Sequence, residues 1–340
     1  MESLKEYVID RMYKASAGVA NAVLVTLAIG LLFETFGNFL GWNAFLTIGG
    51  IAKVLLAPAI GAGVAYQLGG NTLVIYSAII CSTVGGGAMK LTEFGMVMVT
   101  GQPISALIAA LVATYVGKRV TGKTKLDLMA IPLAATLAGG ITGVGAAAVA
   151  TPLLTAMSAE ITSSVQGSPI LASSIIALAW SVLLMTPASS AALAIALQMD
   201  PVSSAAALIG CTAQFAGFTA MSLRQNDLGG FLAQSLVTPK VQFPNLVKNP
   251  RLVIPTFVAS LICAPIATIL FNFEATYELA GLGMNSLIAP LSILSTQGWS
   301  GLLIFLLMGV VVPIIISLSL YVVIKRLGWV KPNALHVEVQ

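Results

Sequence analysis

Thirty residues, Ser222 to Arg251, carry the densest group of side chains able to do chemistry. They include Arg224, Asp227, Lys240, Lys248 and Arg251, with Gln225, Asn226, Gln234, Thr238, Gln242, Asn245 and Asn249 among them. Apolar residues are threaded through at intervals, and Gly229-Gly230, Pro239, Pro244 and Pro250 keep the stretch from forming one long helix. A solvated loop would not need that apolar content, and a spanning helix would carry those charges at high cost. The composition therefore predicts an irregular segment packed against a helical bundle and lining a wet cavity, where non-helical backbone is tolerated at membrane depth.

Two basic–acidic pairs stand out. Lys90-x-x-Glu93-x-Gly95 and Arg224-x-x-Asp227-x-Gly229 repeat one pattern 134 residues apart. Three-residue spacing would put each pair on one face of a helix. Each pair then reads either as a charged couple on a solute or ion pathway or as an interfacial loop with its basic residue reaching back to water. Ser189, Ser190 and Gln214 offer uncharged hydrogen bonds, suited to the hydroxyls of a small solute and equally to bonds between helices. Gln234, Thr238, Gln242 and Asn245 are spaced four, four and three apart. They would share a face if Pro239 did not interrupt it. Lys53, alone within an apolar run, calls for a carboxylate such as Glu34. The candidate solute-binding set is thus Lys90, Glu93, Ser189, Ser190, Gln214, Arg224, Asp227, Gln234 and Asn245.

Several chemistries are absent from the sequence. There is no GxSxG and no HExxH. The single histidine, His336, follows the last apolar run. Cys81, Cys211 and Cys263 sit inside apolar runs without CxxC spacing and read as core residues. No catalytic residue, metal site or cofactor is expected. The net charge of +4, spread over loops, gives no basic patch for nucleic acid.

The elements that must position these residues are membrane helices. Of 340 residues, 58% are hydrophobic and 8% charged, against about a quarter charged in soluble domains, so most of the chain must face lipid or other helices. The fold class expected is all-α: a polytopic integral membrane bundle of about ten helices, some broken or re-entrant. The chain reads as a single domain over 1–340. Residues 1–14 form an amphipathic segment lying on the membrane surface, halves at 15–161 and 169–325 are suggested by the repeated pair, and 326–340 form a tail.

Apolar runs cover Ala15–Phe36, Ala44–Gln67, Thr72–Val84, Phe94–Val116 (interrupted by Gln102-Pro103), Leu126–Ile161, Pro169–Met199, Pro201–Leu223, Leu252–Phe271, Leu282–Leu294 (interrupted by Pro290) and Trp299–Ile324. Thr72–Val84 is too short to cross as a helix, and its Gly85-Gly86-Gly87 end followed by Lys90 and Glu93 suggests a discontinuous element. The basic N-terminal segment, the loop with Lys118, Arg119, Lys123 and Lys125, and the end with Lys325, Arg326 and Lys331 all belong on the cytoplasmic face. Three runs between Lys125 and Arg224 leave the parity unclosed. One must split or dip, and the break at Pro187-Ser189-Ser190 is the candidate.

The run GGFLAQSLVTPKVQFPNLVKNPRLVIP (Gly229–Pro255) resembles the membrane EIIC component of the bacterial phosphoenolpyruvate-dependent sugar phosphotransferase system, in the branch labelled perfringolysin O regulator, or PfoR-like. TPASSAALAIAL (Thr186–Leu197), TQGWSGLLIF (Thr296–Phe305) and GGGAMKLTEFG (Gly85–Gly95) support it. The resemblance implies a multi-pass protein of the bacterial cytoplasmic membrane with both termini in the cytoplasm. It would bind a small polar solute, a sugar or related metabolite, in a midplane cavity and pass it inward. Separate EIIA and EIIB phosphocarriers would be partners, and the protein would be a homodimer. Better-understood EIIC branches place a His and a Glu near the sugar, and no histidine lies in this membrane region. Two alternatives stand beside this reading: a gradient-driven carrier of an organic anion or sugar, and a membrane-embedded regulator that senses a ligand without moving it.

Overall fold

The computed structural model describes residues 4–92, 95–186, 190–331 and 333–337. Glu93 and Ser189 of the candidate set lie outside them. The chain is helical almost throughout and divides into two compact units, Met1–Met157 with Ile195–Leu197, and Ser158–Ala194 with Gln198–Gln340. Among the described residues, six helices are long and apolar enough to cross a membrane, or seven if one bent pair counts as a span.

In the first unit, α1 (Leu4–Val23) continues through a π turn, Leu24–Ala28, into α2 (Ile29–Leu40). The surface segment expected over 1–14 is thus the start of the same helix as the first span. α3 (Asn43–Val54) and α4 (Leu56–Gln67) meet at a 59° bend, so the second run is a broken helix. Lys53, at the bend, is paired with Glu34 at 2.7 Å, as its isolation demanded. Gly18 of α1 and Gly63 of α4 let the two backbones touch, since a Cβ on Gly63 would stand 2.6 Å from the Gly18 carbonyl oxygen.

α5 (Thr72–Gly85) starts at Asn71, whose side chain accepts from Val74 N. The glycines that follow lead into a two-stranded antiparallel hairpin, β1 (Met89–Thr92) and β2 (Gly95–Met98). One expectation fails here. Lys90 lies on a strand opposite Val97, so three-residue spacing puts nothing on a common helical face. The apolar run Phe94–Val116 is interrupted at Gln102-Pro103, as its sequence suggests: Gly95–Met98 form β2, and the helix begins at Pro103, where a missing N–H costs nothing, with Gln102 as cap. That helix, α6 (Pro103–Val120), packs on α4 and α5.

α7 (Asp127–Gly167) is 41 residues long and carries Pro132 and Pro152 inside it. It absorbs the whole weakly polar run and extends past Ile161.

The second unit is built on α10 (Pro201–Ser222), buried nearly along its length and packed by α8 (Pro169–Met185), α13 (Ile254–Pro265) and α15 (Val312–Arg326). The closest approach is at Gly210, where a Cβ would meet the Ala177 carbonyl at 2.4 Å. Asp200 caps α10 through Val202 N and Ser203 N and receives a bond from Thr162. α8 ends at Met185 and α9 (Ser190–Leu197) follows a break, as the Thr-Pro-Ala-Ser-Ser sequence suggests. α11 (Leu228–Leu232) and α12 (Phe243–Lys248) lie in the polar stretch. The run expected at Leu282–Leu294 is instead irregular through Met284. It then joins a short 3₁₀ turn to α14 (Ile288–Leu306), because Pro290 falls in the first turn, where proline is tolerated.

Candidate functional site

The polar stretch in the second unit is built from short pieces, and three of its joints have a side-chain cap, at Asp227, Thr238 and Asn249. Asp227 opens α11 by accepting from Gly230 N at 2.8 Å. A π turn, Ala233–Val237, ends at Thr238, whose hydroxyl accepts from Lys240 N as the 3₁₀ turn Pro239–Gln242 begins. Asn249 then accepts from Arg251 N. Proline at the start of each later piece forbids one continuous helix, and the caps satisfy the donors that fragmentation exposes.

Within this stretch the amides form one buried network. Gln234 Nε2 donates to Ser222 Oγ (3.0 Å) and to the Gly230 carbonyl (3.1 Å). Its Oε1 accepts from Gln242 Nε2 at 2.6 Å. Gln242 Oε1 accepts in turn from Asn245 Nδ2 at 2.8 Å. Gln234 and Gln242 are fully buried. The residues after α15 are bound onto the same network. Leu335 O receives Gln242 Nε2 (2.9 Å) and Asn226 Nδ2 (3.0 Å). Leu335 N donates to Gln225 Oε1 and Val337 N to Asn226 Oδ1. His336 O accepts from Asn245, and Trp329 O from Asn249. Arg251 lies over the Trp329 ring, 5.0 Å from its centroid. The Leu335 side chain is fully buried among Phe218, Met221, Leu246, Tyr321 and Ile324.

Lys240 differs from the other cations of this unit. Its 3₁₀ turn packs against α8 and α10, and the residue has a partner within the fold. Cys211 Sγ donates to the Trp180 carbonyl at 3.7 Å. The Trp180 indole Nε1 is buried with no partner among the described residues, as is Gln214 Oε1. A buried donor or acceptor without a partner is costly in a protein interior, so both atoms call for a ligand or water.

The candidate residues are distributed as follows. Gln234 and Asn245 come together in the amide network, with Gln242 between them. Gln214 is buried in α10, and its Nε2 reaches the Thr256 carbonyl of α13 at 3.3 Å. Ser190 is buried and donates to the Gly281 carbonyl at 2.9 Å. Arg224 and Asp227 are exposed in the turn after α10, and no ion pair joins them. Lys90 is exposed on β1 in the other unit. The two matched basic–acidic segments thus have different local structures, a strand and a helix-opening turn.

Sequence reasoning passed over Lys240 and Trp180 as site residues. Lys240 was visible as a cation in the polar stretch, but only the fold sets its turn against α8 and α10. Among the described residues no three His, Cys, Asp or Glu side chains gather as a metal-holding group.

A family model described as phosphotransferase system, EIIC, matches residues 13–337. No curated protein sequence matches the chain. Among solved structures, it is similar to the transporter ChbC, the IIC component from the N,N'-diacetylchitobiose-specific phosphotransferase system. The TM-score is 0.54 at 15% identity, over 94% of each chain. At that identity the likeness is one of fold.

Proposed function

Since the chain belongs to the EIIC family of the phosphotransferase system, we propose that it is the membrane subunit that binds a small hydroxylated solute and passes it inward, in a site built from the second unit. The family match over nearly the whole chain carries this reading. That unit supplies what such a site needs: irregular backbone in its polar stretch, within a membrane protein, and unmatched buried polar atoms at Trp180 of α8 and Gln214 of α10. Ser190, Gln214, Gln234 and Asn245, with Ser189, are its neutral hydrogen-bonding groups. Arg224 and Asp227 are its charged ones, available to a solute at entry or to a phosphocarrier at docking, while Lys90 and Glu93 belong to the first unit and stand apart from this site.

Separate EIIA and EIIB proteins supply the phosphoryl group, in line with the family match. The protein sits in the bacterial cytoplasmic membrane with both ends in the cytoplasm, in line with its basic segments at Arg11–Lys14 and Lys325–Lys331. It is a homodimer of the PfoR-like branch. The apolar flank of α7, with Leu133, Leu137, Ile141 and Val144 exposed, offers a surface for lipid or for a second copy.

The test is accumulation of labelled solutes in proteoliposomes holding the purified protein. One arm adds phosphoenolpyruvate and the soluble phosphocarriers, and the other imposes only a proton gradient. Accumulation of a phosphorylated product in the first arm supports the reading. Accumulation in the second arm alone would replace it with a secondary carrier. Binding with no accumulation in either would favour a sensor.

A further inference from the structure

Two cations of the first unit share one oxygen. Arg11 of α1 donates from Nη1 to the Leu68 carbonyl at 3.3 Å, and Lys118 of α6 donates from Nζ to the same atom. Two donors within hydrogen-bond reach of one oxygen stand no more than about 7 Å apart. Their common partner carries no charge, and like charges at that range repel unless an anion joins them. The acids closest in sequence are spent elsewhere. Asp10 pairs with Lys14 at 2.8 Å, and Asp127 accepts from Gly122 N, Thr124 N and Thr124 Oγ1. No ion pair among the described residues reaches Arg11 or Lys118. Arg11 Nε is also buried and bonds nothing among the described residues, a donor that calls for an acceptor.

The fold holds these groups at a helix boundary. α4 ends at Gln67, Gly69 turns the chain at φ 73°, and α5 begins after Asn71. The Asn71 side chain donates to Thr121 Oγ1, just past the end of α6, at 3.2 Å. The ends of α4 and α6 and the start of α5 are thereby tied together, and α1 brings Arg11 to the same turn. Tyr7, Tyr66 and Tyr115 are exposed within four residues of Arg11, Leu68 and Lys118. Arg11 lies over the Tyr7 ring, 4.9 Å from its centroid, and Arg119 over that of Tyr115 at 5.1 Å. Exposed tyrosines at the ends of spanning helices mark the headgroup level of a bilayer.

The loop beside this turn offers no rival seat. Gly117–Thr124, GKRVTGKT, has the spacing of a phosphate-binding loop. It follows a helix rather than a strand, and its Gly122 and Thr124 amides already hold the Asp127 carboxylate.

We infer that Arg11 and Lys118 receive the phosphodiester of an anionic phospholipid from the leaflet at that end of the first unit. A guanidinium and an ammonium offer donors only, and the Leu68 carbonyl engages one from each. A phosphodiester supplies the missing acceptors together with the missing charge, and a guanidinium fork suits its paired oxygens. Basic pockets between helices at the membrane surface are suited to such headgroups. A zwitterionic lipid would add its own cation to a place that already holds two, so the site selects headgroups of net negative charge. The bound lipid bridges α1 and α6 across the turn between α4 and α5, whatever solute the protein moves.

The experiment titrates the full-length protein, in an uncharged detergent, with phosphatidylglycerol, with phosphatidylcholine of the same chains, and with inorganic phosphate. Retained lipid is counted by native mass spectrometry. Wild type should hold phosphatidylglycerol roughly tenfold tighter than phosphatidylcholine. Arg11→Gln and Lys118→Gln should each weaken phosphatidylglycerol roughly tenfold, the scale of one charge-assisted hydrogen bond. Arg11→Lys and Lys118→Arg keep the charges and should retain most of it. The double variant Lys123→Gln, Lys125→Gln removes two charges from the neighbouring loop and should shift binding by roughly twofold at most. Thermal midpoints without lipid check that each variant folds.

Phosphatidylcholine held as tightly as phosphatidylglycerol by wild type would overturn the inference without any variant. So would phosphatidylglycerol binding that ignores both glutamine variants, or that the loop variant weakens as much as they do. Two further results would overturn it by naming another occupant: inorganic phosphate displacing the lipid at equal concentration, for a free anion, and a soluble phosphocarrier stripping the lipid from wild type, for a protein.

Discussion

Replacing Leu335 by alanine is the sharpest perturbation of the polar stretch, because it touches only the strap that closes it. Leu335 is fully buried among Phe218, Met221, Leu246, Tyr321 and Ile324. Removing a buried leucine side chain to alanine costs about 2–5 kcal/mol. Taking about 3 kcal/mol, and about 1.4 kcal/mol per tenfold, the ratio of closed to detached strap falls roughly 100-fold. Asn226→Ala removes one donor to Leu335 O and one acceptor from Val337 N. Water replaces both when the strap lifts, so the net loss is about 1–2 kcal/mol and roughly tenfold. The apolar anchor therefore outweighs the amide pair.

Hydrogen exchange reads this directly, since the Leu335 and Val337 amides are held by Gln225 Oε1 and Asn226 Oδ1. Both should exchange roughly 100-fold faster in Leu335→Ala and about tenfold faster in Asn226→Ala, while amides in the middle of α10 stay unchanged. The reasoning is refuted if the two wild-type amides already exchange as fast as a free peptide. It is equally refuted if Leu335→Ala leaves them protected.

Further predictions follow from other contacts. Gly63→Val should separate α1 from α4 and destabilise the first unit by about 1–3 kcal/mol, because the new side chain meets the Gly18 backbone rather than a movable group; detergent-unfolding midpoints would report it. Asp200→Ala should cost about 1–2 kcal/mol by uncapping α10 and releasing Thr162, read in the same assay on the second unit. Lys53→Met should destabilise by about 1–3 kcal/mol, and Glu34→Gln in the same background should recover part of it, since the loss comes from stranding a half-buried carboxylate.

The helices were legible wherever apolar length and a cap agreed. α10, with Asp200 and Pro201 at its start, and the break after Met185 are examples. The segment Ala88–Gln102 was not. Its apolar residues support a strand and a helix equally over so short a span, and only the Gly87 and Gly95 backbones, both at positive φ, decide for a hairpin. In the polar stretch, Gln234, Gln242 and Asn245 were visible as a recurring set, and they do meet. Their partners at Leu335 and His336 were hidden because no local pattern links positions 90 to 100 residues apart. Lys240 was hidden for the same reason: its charge is plain in the sequence, but its depth is set by packing on α8 and α10.

The strap also sets an order of events. Residues 329–337 are synthesised after every span, yet Gln225, Asn226, Gln242 and Asn245 rely on them for partners. A chain with all its crossings already in the membrane would still hold an open, hydrophilic seam until that last piece arrives. The seam is therefore a natural mark of incompleteness. A ribosome stalled just past Arg326, or a premature stop there, would leave an inserted protein whose unfilled Leu335 slot distinguishes it from the finished one.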